Sequence, residues 1–290
     1  NINNTISLMM EKSRLVHANS NTLVNLQLVH SQEVNYTELN NEDDLNYLTG
    51  TNDGFMDEVH TLRNTHDADL VVLLEVASFT GGIAWLLNNP AGSAAYGFSL
   101  IRVQQASWTY TVVHEIGHNM GCGHHKSQNA QPGPGIFAYS SGSRWTSSDG
   151  QKYCSIMSYE SGSYYTDKTN HTRVPYFSSP NLSYLGTIIG TPTDADNART
   201  IRQTKTAIAK YRNGRTNQTI TAPGWQNRTF GDADFDHNIT ASSGLPVTIV
   251  SSNPTIATVV GNKIKILGAG NCIISINQTG NDTFNPVALN

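Results

Sequence analysis

The chain has 290 residues, 38% hydrophobic and 14% charged, with 18 Lys and Arg against 22 Asp and Glu and a formal charge of −4. That length allows one large or two modest domains with ordinary cores. The mild charge and the lack of any basic run exclude a nucleic-acid surface, and no apolar stretch is long enough to insert into a membrane.

Residues 1 to 20 predict a helix, with Ile2, Ile6, Met9, Met10 and Val16 broadly on one side. Val24, Leu26 and Leu28 alternate with Asn25 and Gln27, as a half-buried strand does. Met56 to Thr65 predicts a second helix, and the continuously apolar Leu70 to Leu74 predicts a central strand buried on both faces. Tyr96 to Val103 alternates again and predicts another strand. Ser107 to Met120 predicts a helix whose apolar stripe is Val112, Ile116 and Met120. His114 and His118 lie about 200° around it from that stripe, facing a cleft. Beyond Gly121 the chain is rich in Gly, Ser and Tyr and reads as irregular, until Ala195 to Tyr211 predicts a closing helix.

The predicted cleft helix runs into His114-Glu115-Ile116-Gly117-His118-Asn119-Met120-Gly121-Cys122-Gly123-His124. Residues four apart share a helix face, so His114 and His118 can offer both imidazoles to one ion. Gly121 tolerates the left-handed conformation that ends a helix and lets the chain turn back to deliver His124. Three histidines leave one position open for water, which is the catalytic rather than the structural Zn2+ arrangement, and Glu115 stands beside them as a general base. His125 is a rival third ligand, but the HExxHxxGxxH spacing favours His124.

This motif resembles that of the metzincin metallopeptidases, whose signature adds a downstream methionine turn. Cys154-Ser155-Ile156-Met157-Ser158-Tyr159 is similar to that turn, which implies that Met157 lies beneath the three imidazoles. Asp53 to His60, Ala68 to Leu74 and Val174 to Pro180 resemble the reprolysin-like bacterial enzymes, closest to the peptidyl-Asp metalloendopeptidases. The resemblance covers residues 1 to 213 and implies an α+β fold of the α/β/α metzincin type, with a mixed twisted sheet and an active-site helix. It makes Tyr96 to Val103 the edge strand that pairs with extended substrate. Such domains open with an apolar strand, so the helix at residues 1 to 20 implies a clipped start or a strand supplied from elsewhere. Reprolysin-like enzymes also carry Asp directly after the third ligand; this chain has His125 and departs from the family at the contact that Asp makes.

Further roles come with the resemblance. Tyr159 corresponds to a tyrosine that reaches the zinc or the oxyanion in some metzincins. The segment after the methionine turn walls the pocket for the side chain just past the scissile bond, so Arg173 can grip an acidic side chain there, with Arg144 and Lys168 as substitutes. Cys122 and Cys154 both border the site in such a fold, which implies a disulfide in an oxidising compartment. Cys272 is left over and reads as a buried small hydrophobe in a strand.

Asn213 to Pro223 is polar and marks a boundary, with a catalytic domain over 1–213, a linker over 214–222 and a further domain over 223–290. Short apolar runs at Val247–Val250, Ile256–Val260, Ile264–Leu267 and Cys272–Ile276, separated by turn residues, predict a small all-β sandwich. Ser243 to Val247 and Gly268-Ala269-Gly270 resemble bacterial immunoglobulin-like repeats, which implies a short, truncated module here, of a kind that binds a surface or carbohydrate. Asp232, Asp234 and Asp236 read as outward-facing acids on a strand in preference to a calcium site.

The expectation is a secreted or cell-surface bacterial zinc endopeptidase acting on proteins or peptides. No signal peptide is visible at Asn1, implying a mature or trimmed chain. An inactive zinc-domain adhesin is the alternative; it would have lost the base or a ligand, and here Glu115 and all three histidines are present.

Overall fold

The computed structural model describes residues 1–76, 80–212, 216–224, 227–281 and 284–289. Two compact units emerge, Asn1–Tyr211 and Arg212–Asn290.

In the first unit, α1 (Ile2–Asn19) starts where the Asn1 side chain accepts from the Asn3 amide. Met9 and Val16 are buried in the main core, with Ile6 and Met10 packed against it. The alternating Val24–Leu28 segment is not a strand. Val24 and Leu26 do pack on the core, but side chains take the backbone acceptors that a neighbouring strand would use: Arg14 donates to the Leu26 carbonyl and Lys205 to that of Leu23. Alternation therefore reported half-burial without reporting pairing.

Helix α2 (Asn41–Thr49) was not anticipated. It is weakly amphipathic, and its signal lies at its start, where Asn40 caps the Asp43 amide and Glu42, Asp43 and Asp44 occupy the dipole-favoured first turn. Helix α3 (Asp57–Thr65) matches the predicted second helix.

The sheet inverts an expectation. Strands β1 (Val71–Glu75), β2 (Gly82–Ala84) and β3 (Phe98–Arg102) lie in the order β1-β3-β2, with β3 parallel to β1 and antiparallel to β2. The strand predicted as central is thus at the margin of this sheet and only half-buried, whereas β3, expected to be the substrate edge, is central and fully buried through Ile101. Its alternation arises from the small Ser99, buried along with its apolar neighbours rather than facing solvent. Strand β2, only three residues long, is the terminal strand beside it.

A single turn, α4 (Val103–Ala106), leads to α5 (Thr111–Asn119), whose Val112, Ile116 and Met120 stripe enters the core as expected. Asn119 ties this helix to the sheet by donating to the Trp85 and Phe98 carbonyls. The irregular region that follows holds a small sheet of β4 (Arg144–Thr146), β5 (Lys152–Cys154) and β6 (Thr172–Arg173), and a hairpin of β7 (Ser183–Tyr184) and β8 (Thr187–Ile188). Helix α6 (Asn197–Ile208), capped by Asp196, closes the unit.

The second unit is all-β. It comprises β9 (Ile220–Thr221), β10 (Phe235–Asp236), β11 (Thr240–Ala241), β12 (Thr248–Ser251), β13 (Ala257–Val260), β14 (Lys263–Ile266), β15 (Ile274–Gln278) and β16 (Val287–Leu289). They form three sheets, ordered β10-β14-β13, β12-β15-β16 and β9-β11. Three corrections follow. Residues 218–221 of the expected linker belong to this unit, since β9 pairs with β11 and Gln218 donates to Gln278. Cys272 precedes β15 and is only half-buried. Asp232 and Asp234 lie outside any strand, and among the described residues no acidic group gathers that could hold a cation.

A buried acid in the first unit gives a pH signature. Glu75 ends β1 at 2% exposure, its Oε1 accepting from Asn41. Burial first, and then neighbouring Asp44 and Glu38, push its pKa from 4.5 up to about 8. The folded state therefore keeps a proton that the unfolded chain releases, and stability falls as pH rises from about 4.5 to about 8. Glu75→Gln should flatten that decline. With zinc saturating, its melting temperature should gain a few degrees over the parent by pH 8, since about 1 kcal/mol moves a domain of this size by roughly 2–4 °C. Parallel melting curves of the two proteins at any pH would reject the assignment.

Candidate active site and metal centre

Helix α5 and the turn behind it bring three imidazoles to one point. The helix stops at Met120, and Gly121 at φ 89° takes the left-handed step that a residue with a Cβ adopts only under strain. The chain then returns so that His124 Nε2 lies 3.1 Å from His114 Nε2 and 3.0 Å from His118 Nε2. Each ring's other nitrogen meets a backbone carbonyl: His114 Nδ1 to Ile156 at 2.8 Å, His118 Nδ1 to Cys122 at 2.9 Å, and His124 Nδ1 to Gln131 at 2.8 Å. A carbonyl only accepts, so all three Nδ1 atoms carry the proton and all three Nε2 atoms present bare lone pairs.

Three lone pairs aimed at one another repel unless a cation lies between them. Tetrahedral Zn–N bonds of roughly 2.0–2.1 Å place nitrogens about 3.4 Å apart, close to the spacing found here. Burial holds the imidazoles neutral: it lowers His114 far below the usual histidine range, His118 to about 3 and His124 to about 4. Among the described residues this is the one group of His, Cys, Asp or Glu side chains gathered for a metal, and it binds Zn2+. His125 stands outside it. Its Nδ1 accepts from the Ser127 amide and its ring meets Tyr165 edge-on.

Glu115 is 5% exposed, between the ligand helix and the edge strand. A Cβ added at Gly82 would come within 2.8 Å of its Cγ and Oε1, so β2 passes directly against the carboxylate. Burial pushes the Glu115 pKa up to about 8, partly opposed by the positive charge of Arg173.

The methionine turn lies underneath. Met157 is fully buried, and its sulfur fills the space that a Cβ on Gly117 would need, 2.7 Å away. The preceding Ile156 carbonyl orients His114. Tyr159 lies beside the imidazoles, its ring centroid 4.8 Å from that of His124 and 6.0 Å from that of His114. Burial, with Glu115 nearby, raises its phenol to about 12, so it keeps its proton.

Arg173 reaches this region too. Its Nε and Nη2 donate to the Ser158 carbonyl at 3.3 and 2.9 Å, and Nη1 lies 4.0 Å from Glu160 Oε2. Its charge also acts on His114, His124 and Tyr159. Neither substitute shares this position: Arg144 pairs with Asp167 and lies over the Tyr165 ring at 3.5 Å, and Lys168 is exposed.

The anticipated disulfide is a correction. Cys122 and Cys154 are both free, buried thiols turned to different carbonyls, Cys122 to Asn197 and Cys154 to Ser158. Burial raises both pKa values, Cys154 to about 12, so neither is a thiolate ligand.

Sequence reasoning missed Gln128, whose Oε1 accepts from both the Tyr159 amide and the Tyr165 hydroxyl, and Gly82 beside Glu115. Neither residue carries a spacing signal. Their roles exist only where distant segments meet.

The sequence model described as metallo-peptidase family M12, Reprolysin_5, matches residues 1–178. The chain belongs to metallopeptidase family M12. Three bacterial relatives named peptidyl-Asp metalloendopeptidase agree with that placement of this M12 protein. That of Stenotrophomonas maltophilia K279a is 34% identical over 213 residues, 73% of this chain and 48% of its own length. That of Xanthomonas campestris pv. campestris is 33% identical over 214 residues, with the same coverage of 73% and 48%. That of Pseudomonas aeruginosa is 26% identical, covering 71% of this chain and 36% of its own. The M12 chain thus spans about half the length, or less, of the curated relatives it matches.

Proposed function

We propose that this chain is a zinc endopeptidase that hydrolyses peptide bonds with Glu115 as the general base and prefers an acidic residue, Asp above all, immediately after the scissile bond. The observation that carries this reading is the placement of Glu115: a buried carboxylate next to three ligand-ready imidazoles and against an edge strand. A zinc held by His114, His118 and His124 supplies Lewis acidity to the attacking water and the scissile carbonyl.

The chain's own residues supply the rest. Substrate extended along β2 can add a strand through main-chain hydrogen bonds, which lays its backbone beside Glu115. A Glu115 carboxylate oxygen takes a proton from the attacking water and returns it to the departing amide nitrogen. The protonated Tyr159 hydroxyl donates to the carbonyl oxygen as it gains negative charge. Arg173 offers its remaining N–H groups to the side chain after the scissile bond, and a forked guanidinium matches a carboxylate. The catalytic domain is assigned to 1–213, Met157 to the floor of the site, and the all-β second unit to an immunoglobulin-like module that engages a surface or carbohydrate. The low charged fraction suits work outside the cell.

The reading is tested by a peptide series varied only at the position after the scissile bond, assayed with and without a zinc chelator. Chelator-sensitive cleavage with Asp preferred over Asn and Leu is expected; a preference for Leu or Phe overturns the specificity. Tyr159→Phe provides a separate check. It should lower kcat roughly 10- to 100-fold with zinc content and KM little changed, because only the hydrogen bond gained in the transition state is lost. An unchanged kcat assigns Tyr159 to packing alone.

A further inference from the structure

We infer that the chain carries its own processing site, and that the Ala233–Asp234 bond in the second unit is a substrate for the same peptidase acting on another copy. The inference rests on the Asp preference proposed above. Residues 227–234 are exposed throughout and outside any helix or strand, and they contain two bonds that precede an aspartate, Gly231–Asp232 and Ala233–Asp234.

The structure separates these two bonds. Asp232 is held in a turn: its amide donates to the Thr229 carbonyl at 3.0 Å, and its Oδ2 accepts from the Thr229 amide at 2.9 Å. Gly231 before it has φ 102°, far from the extended form that strand-like substrate binding needs. Ala233 and Asp234 lie beyond that turn. The Asp234 side chain has no hydrogen bond or ion pair among the described residues, so its carboxylate is free to enter a basic pocket. Downstream, the two-residue strand β10, the His237 amide bond to the Asn262 carbonyl and the stacking of Arg228 on Phe235 must be released, and among the described residues β10 lies at the margin of its sheet, paired with β14 alone.

Aspartates of the first unit are held differently. Asp43, Asp44 and Asp57 lie in helices, Asp196 is a buried cap, Asp167 and Asp194 pair with Arg144 and Lys126, Asp53 and Asp149 close local turns by accepting from the Phe55 and Gln151 amides, and Asp67 and Asp69 have partners of their own. Hydrolysis at Ala233–Asp234 adds the water hydroxyl to the Ala233 carbonyl carbon and a proton to the departing Asp234 nitrogen. It yields residues 1–233 and 234–290, cutting the second unit between β9 and β10 and leaving the first unit whole.

The test uses the zinc-loaded Glu115→Ala chain of residues 1–290 as substrate and catalytic amounts of the parent as enzyme, read by intact mass and N-terminal sequencing. A new terminus reading Asp-Phe-Asp is expected, formed at least tenfold more slowly when Asp234→Asn is added to the substrate chain. A synthetic peptide of residues 228–239 runs alongside. A parent that cleaves this peptide before Asp234 but leaves the folded chain intact overturns the inference while the proposed activity stands, as does equal cleavage of the Asn substrate. A parent that shows no preference for Asp over Asn in the free peptide series overturns the specificity and the inference with it.

Discussion

Glu115→Ala should retain a full equivalent of zinc and lose turnover, while His118→Ala should lose both. The geometry sets Glu115 apart from the three ligands. All three Nε2 lone pairs converge on one point with their rings locked by carbonyls, whereas Glu115 is not among the converging groups and lies against Gly82 instead. A positioned general base contributes roughly 100- to 10,000-fold, so the alanine variant should fall by at least that factor. The fold should persist, because the carboxylate that is removed is one that burial already disfavours in its charged form. Metal analysis by mass spectrometry and casein turnover decide the matter. A Glu115→Ala protein that remains active sinks the mechanism, and one that loses its zinc makes Glu115 a ligand.

Arg173→Ala should cut kcat/KM for Asp-containing peptides by roughly 10- to 100-fold, because a charge-assisted hydrogen bond is worth about 1.5–3 kcal/mol and about 1.4 kcal/mol is tenfold. Peptides with Leu or Asn in that place should lose much less. Arg173 also steadies the methionine turn through the Ser158 carbonyl, and a purely structural role would depress all substrates together. Arg173→Lys distinguishes the two, since it restores the charge without the fork and should recover little of the Asp preference. Zinc content should stay constant across the series. A uniform loss over all peptides would remove Arg173 from the pocket.

Much of the site was legible because it is local. His114, Glu115 and His118 sit on one helix where spacing alone sets which residues share a face, and Gly121 and His124 follow within a single turn. Apolar periodicity likewise placed α1 and α5, and the expected helices at 56–65 and 195–211 match α3 and α6 to within a few residues. It failed at residues 24–28 and in the order of the first sheet. Periodicity reports how many sides of a segment are covered, and says nothing of which strand lies beside it or which groups take its backbone hydrogen bonds.

The sequence by itself therefore determined the composition of the centre: three imidazoles, an adjacent carboxylate and a methionine turn, written at spacings that short-range backbone geometry converts directly into a zinc site. Only the tertiary structure decided what surrounds that chemistry. It set β2 rather than β3 at the sheet margin beside Glu115, drew the carbonyls of Ile156, Cys122 and Gln131 onto the three rings, placed Arg173 near Glu115, and kept Cys122 and Cys154 apart as thiols. Most of these contacts join segments distant in the chain, and several use backbone carbonyls that every residue type carries, so no pattern of side chains along the sequence could have announced them.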